Sequence, residues 1–131
     1  MEKYNIKKDN YESEVKEKWG STEQYKEYIE KTKKYTNENW SASAEEMYRI
    51  FANFAECMNA GKTFDSVEVL NLVSELQKHI TTNYYQCTNY ILLCLGKMYV
   101  EDKRFKENID KHSSGTAAFV YEAIKRHCNN C

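Results

Sequence analysis

The sequence predicts an all-α protein, and three observations support that prediction. The chain has no proline and only four glycines in 131 residues, a composition typical of long helices joined by short connections. Beyond residue 36, apolar residues recur at intervals of three and four, which is the spacing of an amphipathic helix. No segment sustains the alternation of apolar and polar residues that indicates a half-buried strand. We therefore expect helices and no sheet.

Length and charge narrow the possible functions. A chain of 131 residues is long enough for one hydrophobic core, and its net charge of −1 gives no electrostatic basis for binding nucleic acid or an anionic membrane. The sequence has neither an apolar run long enough to span a bilayer nor the apolar segment of a secretory signal. Five cysteines without such a signal are typical of free thiols in a reducing compartment, so we expect a cytoplasmic protein.

The apolar content changes character along the chain and predicts two parts. The early apolar residues are mostly tyrosine and tryptophan, and no leucine precedes Leu70. Such a segment has little aliphatic area to offset its ordering entropy. We expect residues 1–37 to be an aromatic-rich N-terminal lid that orders when a ligand binds, and residues 38–128 to be a helical core.

Capping residues place the first two core helices. Thr36 is a suitable N-cap, apolar residues follow at helical spacing, and Gly61 is suited to the C-terminal position. Asp65 or Ser66 then begins a second helix. Its predicted apolar face consists of Val69, Val73, Leu76 and Ile80.

Three further helices follow. Thr88 is a suitable N-cap for a helix whose residues 90–100 are hydrophobic nearly all round, which is typical of a helix buried in the middle of a small domain. Residues 102–110 form a predicted short helix. Gly115 interrupts the chain before a final helix.

A stripe of sulfur-containing and apolar side chains is the most distinctive local pattern. If residues 87–98 are helical, Cys87, Ile91, Cys94 and Met98 share one face, while Gly96 lies about 200° from Cys94 and suits close helix packing. The two cysteines would then be about 10 Å apart, too far for a disulfide. An adaptable surface of this kind suits an apolar ligand, although ordinary core packing explains the same residues.

Four segments resemble one known family in order and spacing. The segments are W-G-x-T-x-x-Y within residues 18–25, K-T-K-K-Y-T-x-E-x-W at 31–40, L-G-x-M-Y-V-x-D-x-R-F-x-x-N-I-D at 95–110 and G-T-A-A-F-V-Y-E-A-I at 115–124. Together they resemble the TipAS family, the antibiotic-recognition domain of thiostrepton-induced MerR-type regulators, over about residues 11–127.

The resemblance implies a globin-like helical domain that binds a thiopeptide or a similar large apolar antibiotic. It also implies that Cys94, which precedes L-G-x-M-Y-V, attacks a dehydroalanine of the antibiotic and forms a thioether. Trp40 belongs to a predicted core face and is expected to pack there instead of contacting the antibiotic. The residues expected to line the pocket are Trp19, Tyr85, Cys87, Tyr90, Ile91 and Met98.

The family's regulators have a winged helix-turn-helix and a coiled coil ahead of this domain, whereas the family-like segments here begin near Met1. We therefore expect no nucleic-acid binding by this chain alone and no membrane association. The chain is either a free-standing antibiotic-binding protein or a part of a regulator that has a separate DNA-binding domain. No paired carboxylates, phosphate loop or catalytic triad indicates an enzyme, and no cofactor is expected.

The alternative is a thiol-based redox- or metal-responsive module, for which Cys128 and Cys131 are the obvious pair. A zinc site needs four ligands, so these two residues alone do not predict a metal site, and we expect a frayed C-terminal tail. His79 borders an apolar helix face and is expected to be a core or rim histidine. The acidic and basic residues of 102–110 are expected to form structural ion pairs and caps.

Overall fold

The computed structural model describes residues 22–129, so Trp19 and Cys131 lie outside the described part of the chain. No strand is present between residues 22 and 129, and the all-α prediction is confirmed over that range. The helices of this range are α1 (Glu23–Thr32), α2 (Asn37–Asn59), α3 (Val67–Asn83), α4 (Asn89–Glu101), α5 (Lys103–Asp110) and α6 (Thr116–Asn129).

Side-chain caps fix where five of these helices begin, and Thr22 caps α1. Thr36 and Asn39 form a reciprocal capping box at the start of α2. Ser66 and Thr88 accept hydrogen bonds from backbone N–H groups in the first turns of α3 and α4, and Asp102 does so for α5. The predicted caps at Thr36 and Thr88 are confirmed, and Ser66 instead of Asp65 begins α3.

Two glycines adopt left-handed backbone conformations at the predicted interruptions. Gly61 follows α2 with φ of +84°, and Gly115 precedes α6 with φ of +91°. Residues with a Cβ rarely adopt these values. Both predicted helix boundaries are therefore confirmed.

The core lies where α2, α3, α4 and α6 meet. α4 packs most extensively on α6, and α3 packs on both α2 and α6. The predicted apolar face of α3 is confirmed, since its four residues are all buried. The largest side chains that are almost fully buried are Phe51, Phe54, Ile50, Leu76, Leu92, Ile109 and Ile124.

α4 is buried on one side only, so the prediction of a helix buried all round is wrong. Its buried residues are Leu92, Gly96 and Tyr99, whereas Tyr90 is 75% exposed. Gly96 lies against α6, and Tyr99 contacts Phe51 of α2 and Phe105 of α5. α4 flanks the bundle, and its apolar character alone did not distinguish a central helix from a peripheral one. Among residues 22–129, no helix combines the length and apolarity needed to cross a membrane.

α1 is attached to the end of α3 by side-chain hydrogen bonds. Lys31 Nζ donates to the Thr81 carbonyl at 2.6 Å, and the Tyr35 hydroxyl, just after α1, donates to the Asn83 carbonyl at 2.6 Å. These bonds belong to the second half of the predicted lid, residues 1–37. Its first half, up to residue 21, lies outside the described residues, and ordering on ligand binding stays a prediction.

The C-terminal segment is not frayed at His127 and Cys128, so that prediction is wrong for these residues. Helix α6 continues to Asn129 because tertiary contacts hold its last turns. His127 Nε2 hydrogen bonds with Gln77 Oε1 at 3.1 Å, and Cys128 Sγ donates to the Asn89 carbonyl at 3.5 Å.

Gly96→Ala should destabilise the protein by about 1–3 kcal/mol, because a Cβ there would overpack the α4–α6 contact. The added Cβ would lie 2.8 Å from Tyr121 Cδ1 and 3.1 Å from Ile124 Cδ1. The clash should outweigh the better helix propensity of alanine, about 1 kcal/mol. Urea unfolding provides the measurement, with exposed Lys97→Ala as a control that should change stability by less than about 0.5 kcal/mol. Equal or greater stability of Gly96→Ala would contradict the packing argument.

Candidate functional site

Cys94 lies on the side of α4 that faces away from the core. Tyr90, Ile91, Cys94 and Met98 occupy an arc of about 100° on this helix, and we call these four residues the Cys94 face. Tyr90 is exposed and the other three are half-buried, with Ile91 and Met98 also packing partly against the core. Gly96 is buried against α6, as predicted from its angular distance to Cys94.

Cys87 is not on the Cys94 face, so the predicted four-residue stripe is wrong at this position. Thr88 is the N-cap of α4, so Cys87 lies before the helix. Helical periodicity therefore does not apply to the seven-residue spacing between Cys87 and Cys94. Cys87 is only 2% exposed. Burial, with a smaller contribution from Cys128, raises the pKa of the Cys87 thiol to about 12. A pocket-lining role for Cys87 stays a prediction.

Tyr85 lies at the connection between α3 and α4, where α1 is also attached. Its side chain is half-buried and packs against the core. The next residue, Gln86, donates its backbone N–H to Glu27 Oε1 on α1 at 2.8 Å, and this bond is the largest cause of the lowered pKa of Glu27. Tyr85 therefore directly precedes the residue that is bonded to α1, and it lies five residues before Tyr90 of the Cys94 face.

An aromatic cluster joins α1 to α2 and the end of α3. Trp40 stacks on Tyr84 with ring centroids 6.2 Å apart. Its ring also makes an edge-to-face contact with Tyr35, with centroids 5.3 Å apart. Tyr28 of α1 lies 6.4 Å from Trp40 and 6.1 Å from Tyr84. The predicted packing role of Trp40 is confirmed, because it links three segments of the fold.

His79 belongs to a buried hydrogen-bond network that the sequence did not reveal. It is 7% exposed, with Nε2 3.3 Å from Ser43 Oγ and Nδ1 3.1 Å from Asn83 Nδ2. Ser43 also hydrogen bonds to the Tyr84 hydroxyl. Desolvation lowers the pKa of His79, so burial favours the neutral imidazole. The predicted core or rim histidine is confirmed.

A solvent-open cavity of about 580 Å³ lies between α2 and α3 beside this network. None of the residues predicted to contact the antibiotic lines it. Within residues 22–129, no group of three or more histidine, cysteine, aspartate or glutamate residues is arranged to hold a metal ion. The cavity is lined by Tyr35, Asn39, Ala42, Ser43, Glu46, Glu75, Lys78, His79, Thr82 and Asn83.

The charged residues around α5 have the predicted structural role. Arg104 Nη2 forms an ion pair with Asp102 Oδ2 at 2.7 Å, and the hydrogen bond from Arg104 is the largest cause of the lowered pKa of Asp102. Asp110 Oδ1 accepts the backbone N–H of Ala117 at 2.8 Å and so satisfies the first turn of α6.

Comparison with known proteins supports the resemblance. The model of the TipAS antibiotic-recognition domain matches residues 11–127. The HTH-type transcriptional activators TipA of Streptomyces coelicolor and Streptomyces lividans are each 39% identical over 116 residues, which cover 88% of this chain and 46% of theirs. The HTH-type transcriptional activator mta of Bacillus subtilis is 32% identical over 124 residues, 92% of this chain and 46% of its own. The chain thus spans about half the length of these relatives.

A solved structure shares the fold. TipAS of Streptomyces lividans, in complex with the antibiotic nosiheptide, superposes with a TM-score of 0.84 at 37% identity. The match covers 93% of this chain and 85% of that one. The predicted globin-like helical fold is confirmed by this match.

In the folded protein, thiol reagents should modify Cys94 at least about 100-fold faster than Cys87, because the reacting species is the thiolate and Cys87 is both buried and held protonated. Timed labelling with iodoacetamide, followed by peptide mass spectrometry, measures both rates. In guanidinium chloride the two rates should converge, which controls for peptide recovery. Equal rates in the folded protein would contradict the core position of Cys87.

Proposed function

Because the chain belongs to the TipAS antibiotic-recognition domain family, we propose that it binds a thiopeptide or a similar large apolar antibiotic. It would act as a drug sensor or as a sequestering resistance protein. The observation that carries the proposal is the match, over 93% of this chain, to a TipAS structure that holds nosiheptide. Half-length coverage of transcriptional activators supports a role as the effector part of a cytoplasmic regulator, with DNA binding supplied by a separate domain.

The exposed side of α4 supports apolar recognition. Tyr90 is 75% exposed on a helix whose neighbouring face residues Ile91, Cys94 and Met98 are apolar or weakly polar. Ligand sites are lined mainly by such side chains, with few polar groups to orient the ligand. The net charge of −1 agrees with recognition by apolar contact instead of charge.

Cys94 is the residue that we expect to bond covalently to an antibiotic with a dehydroalanine. Its sulfur adds to the β carbon of the alkene and the thiol proton passes to the α carbon, so a thioether forms and no group leaves. A position inside α4 gives the thiol no help from a helix N-terminus. Reversible binding would compensate by holding the alkene against the sulfur, an effect worth several kcal/mol, roughly. The protein itself is consumed in this step, so we propose binding and not enzymatic turnover.

The first test is titration of the full chain with thiostrepton, followed by intact mass measurement. We expect reversible binding and then a slow adduct whose mass is the sum of protein and antibiotic. Cys94→Ser should abolish the adduct while weakening reversible binding by about tenfold or less, because most of the apolar contact area lies elsewhere.

Cys57→Ser is the matched control, since Cys57 is also half-buried but lies on α2. This variant should still form the adduct. An adduct that survives in Cys94→Ser would overturn the covalent assignment alone. Failure of thiostrepton and nosiheptide to bind at all would overturn the proposed function.

Residues 1–37 should gain protection from amide exchange when the antibiotic binds, in keeping with a lid that orders around the ligand. The described part of this lid is attached through a few polar contacts, each worth about 1 kcal/mol, and through the ring contacts of Tyr28 and Tyr35 with Trp40 and Tyr84. Hydrogen exchange with and without antibiotic is the measurement, and the buried amides of α3 serve as the internal control. Full protection of residues 1–37 before ligand is added would show that the lid does not order on binding.

A further inference from the structure

Gln77 of α3 links the connection before α4 to the last turns of α6. Its Nε2 donates to the Cys87 carbonyl at 2.8 Å and to Asn89 Oδ1 at 2.9 Å. Its Oε1 accepts from His127 Nε2 at 3.1 Å. Cys128, the next residue on α6, donates its thiol to the Asn89 carbonyl at 3.5 Å. The Gln77 side chain therefore holds together the two segments that carry Cys87 and Cys128.

The two sulfur atoms lie against consecutive carbonyl groups at the start of α4. Cys87 Sγ is 3.9 Å from the Thr88 carbonyl, and Cys128 Sγ contacts the following carbonyl, that of Asn89. Both side chains also pack on the same hydrophobic core. Cys128 acts electrostatically on the Cys87 thiol, an effect that weakens with distance. These contacts place both sulfur atoms beside the first turn of α4.

We propose that Cys87 and Cys128 are a disulfide-forming pair that ties the end of α6 to the start of α4 when a peroxide oxidant is present. This site differs from the Cys94 face and does not depend on antibiotic binding. The proposed partner of Cys128 is therefore Cys87, at the start of α4, and not Cys131, its neighbour in the sequence.

The chemistry needs one equivalent of hydrogen peroxide. Cys128, the more exposed thiol, is oxidised to a sulfenic acid as peroxide is reduced to water. The Cys87 sulfur then displaces hydroxide from the Cys128 sulfur, and the thiol proton leaves with it as a second water. Two thiols thus lose two hydrogens and one S–S bond forms.

The second step is slow, because Cys87 is almost entirely protonated at neutral pH. Burial raises its pKa to about 12, and only the thiolate attacks. The pair is therefore suited to sustained oxidation and not to rapid sensing. Once formed, the bond would close a loop of about 40 residues and stabilise the α4–α6 packing that orients the Cys94 face.

The test treats the full chain carrying Cys131→Ser with hydrogen peroxide, then blocks remaining thiols with iodoacetamide. Non-reducing digestion and mass spectrometry should show a peptide pair joined through Cys87 and Cys128, lighter by two hydrogens than the separate peptides. Thermal unfolding should shift upward by about 10 °C on oxidation and return when dithiothreitol is added.

Cys128→Ser and Cys87→Ala, each in the same background, should lose both the linked peptide and the thermal shift. Cys57→Ser should keep them, and because Cys128→Ser alters only a half-buried residue, it tests the pairing even if Cys87→Ala folds poorly. Oxidation of Cys128 to sulfinic acid with no linked peptide would overturn the proposal. Linkage that appears only after unfolding in urea would overturn it equally.

Discussion

The contact between Gly96 and helix α6 determines which side of α4 is available for binding. Without a side chain at residue 96, Tyr121 and Ile124 reach the backbone of α4, and an added Cβ would be only 2.8 Å from the Tyr121 ring. This close approach fixes the rotation of α4 about its axis. Because Cys94 is about 200° from Gly96 on the helix, the same contact turns its thiol away from the core. The packing of Gly96 on α6 therefore determines that Cys94 lies on the opposite side of α4.

The connection between α3 and α4 is the second constraint, because several elements meet there and its backbone groups cannot all pair within a helix. Side chains satisfy them instead. Thr81 Oγ1 accepts the Cys87 N–H at 3.1 Å, Gln77 donates to the Cys87 carbonyl, and Glu27 of α1 accepts the Gln86 N–H. These bonds join α1, α3 and α4 at one place, one turn before the Cys94 face begins. Movement of α1 would therefore be transmitted to the first turn of α4.

Local signals in the sequence predicted the helix boundaries well, whereas side-chain neighbours depended on tertiary contacts. Thr88 was correctly predicted as an N-cap, and that cap excludes Cys87 from the helical stripe to which its spacing assigned it. The apolar run of α4 did not indicate which side of the helix packs against the core. Gly96 did, because a residue without a side chain suits close helix packing. Helical periodicity within α4 correctly predicted that Cys94 shares a helix face with Ile91 and Met98. The last turns of α6, which carry Cys128, are held by the bond between His127 and Gln77, 50 residues earlier in the chain, and no local pattern encodes such a contact.

Ion pairs contribute little to the stability of the described part of the chain, because most of them are local and solvent-exposed. Lys33 pairs with Glu30, and Lys103 with Glu107, all with side chains more than half exposed. Exposed pairs of this kind contribute about 0–1 kcal/mol each and are screened by salt. Stability must then come mainly from the apolar core and the buried hydrogen bonds.

Recognition on the Cys94 face should depend on apolar contact in the same way. Tyr90 is exposed on an otherwise apolar helix face, so a ligand that covers it removes apolar surface from water. The binding free energy gained by this burial is insensitive to salt. Shape and apolar area, instead of charge, would therefore distinguish one large antibiotic from another on this face.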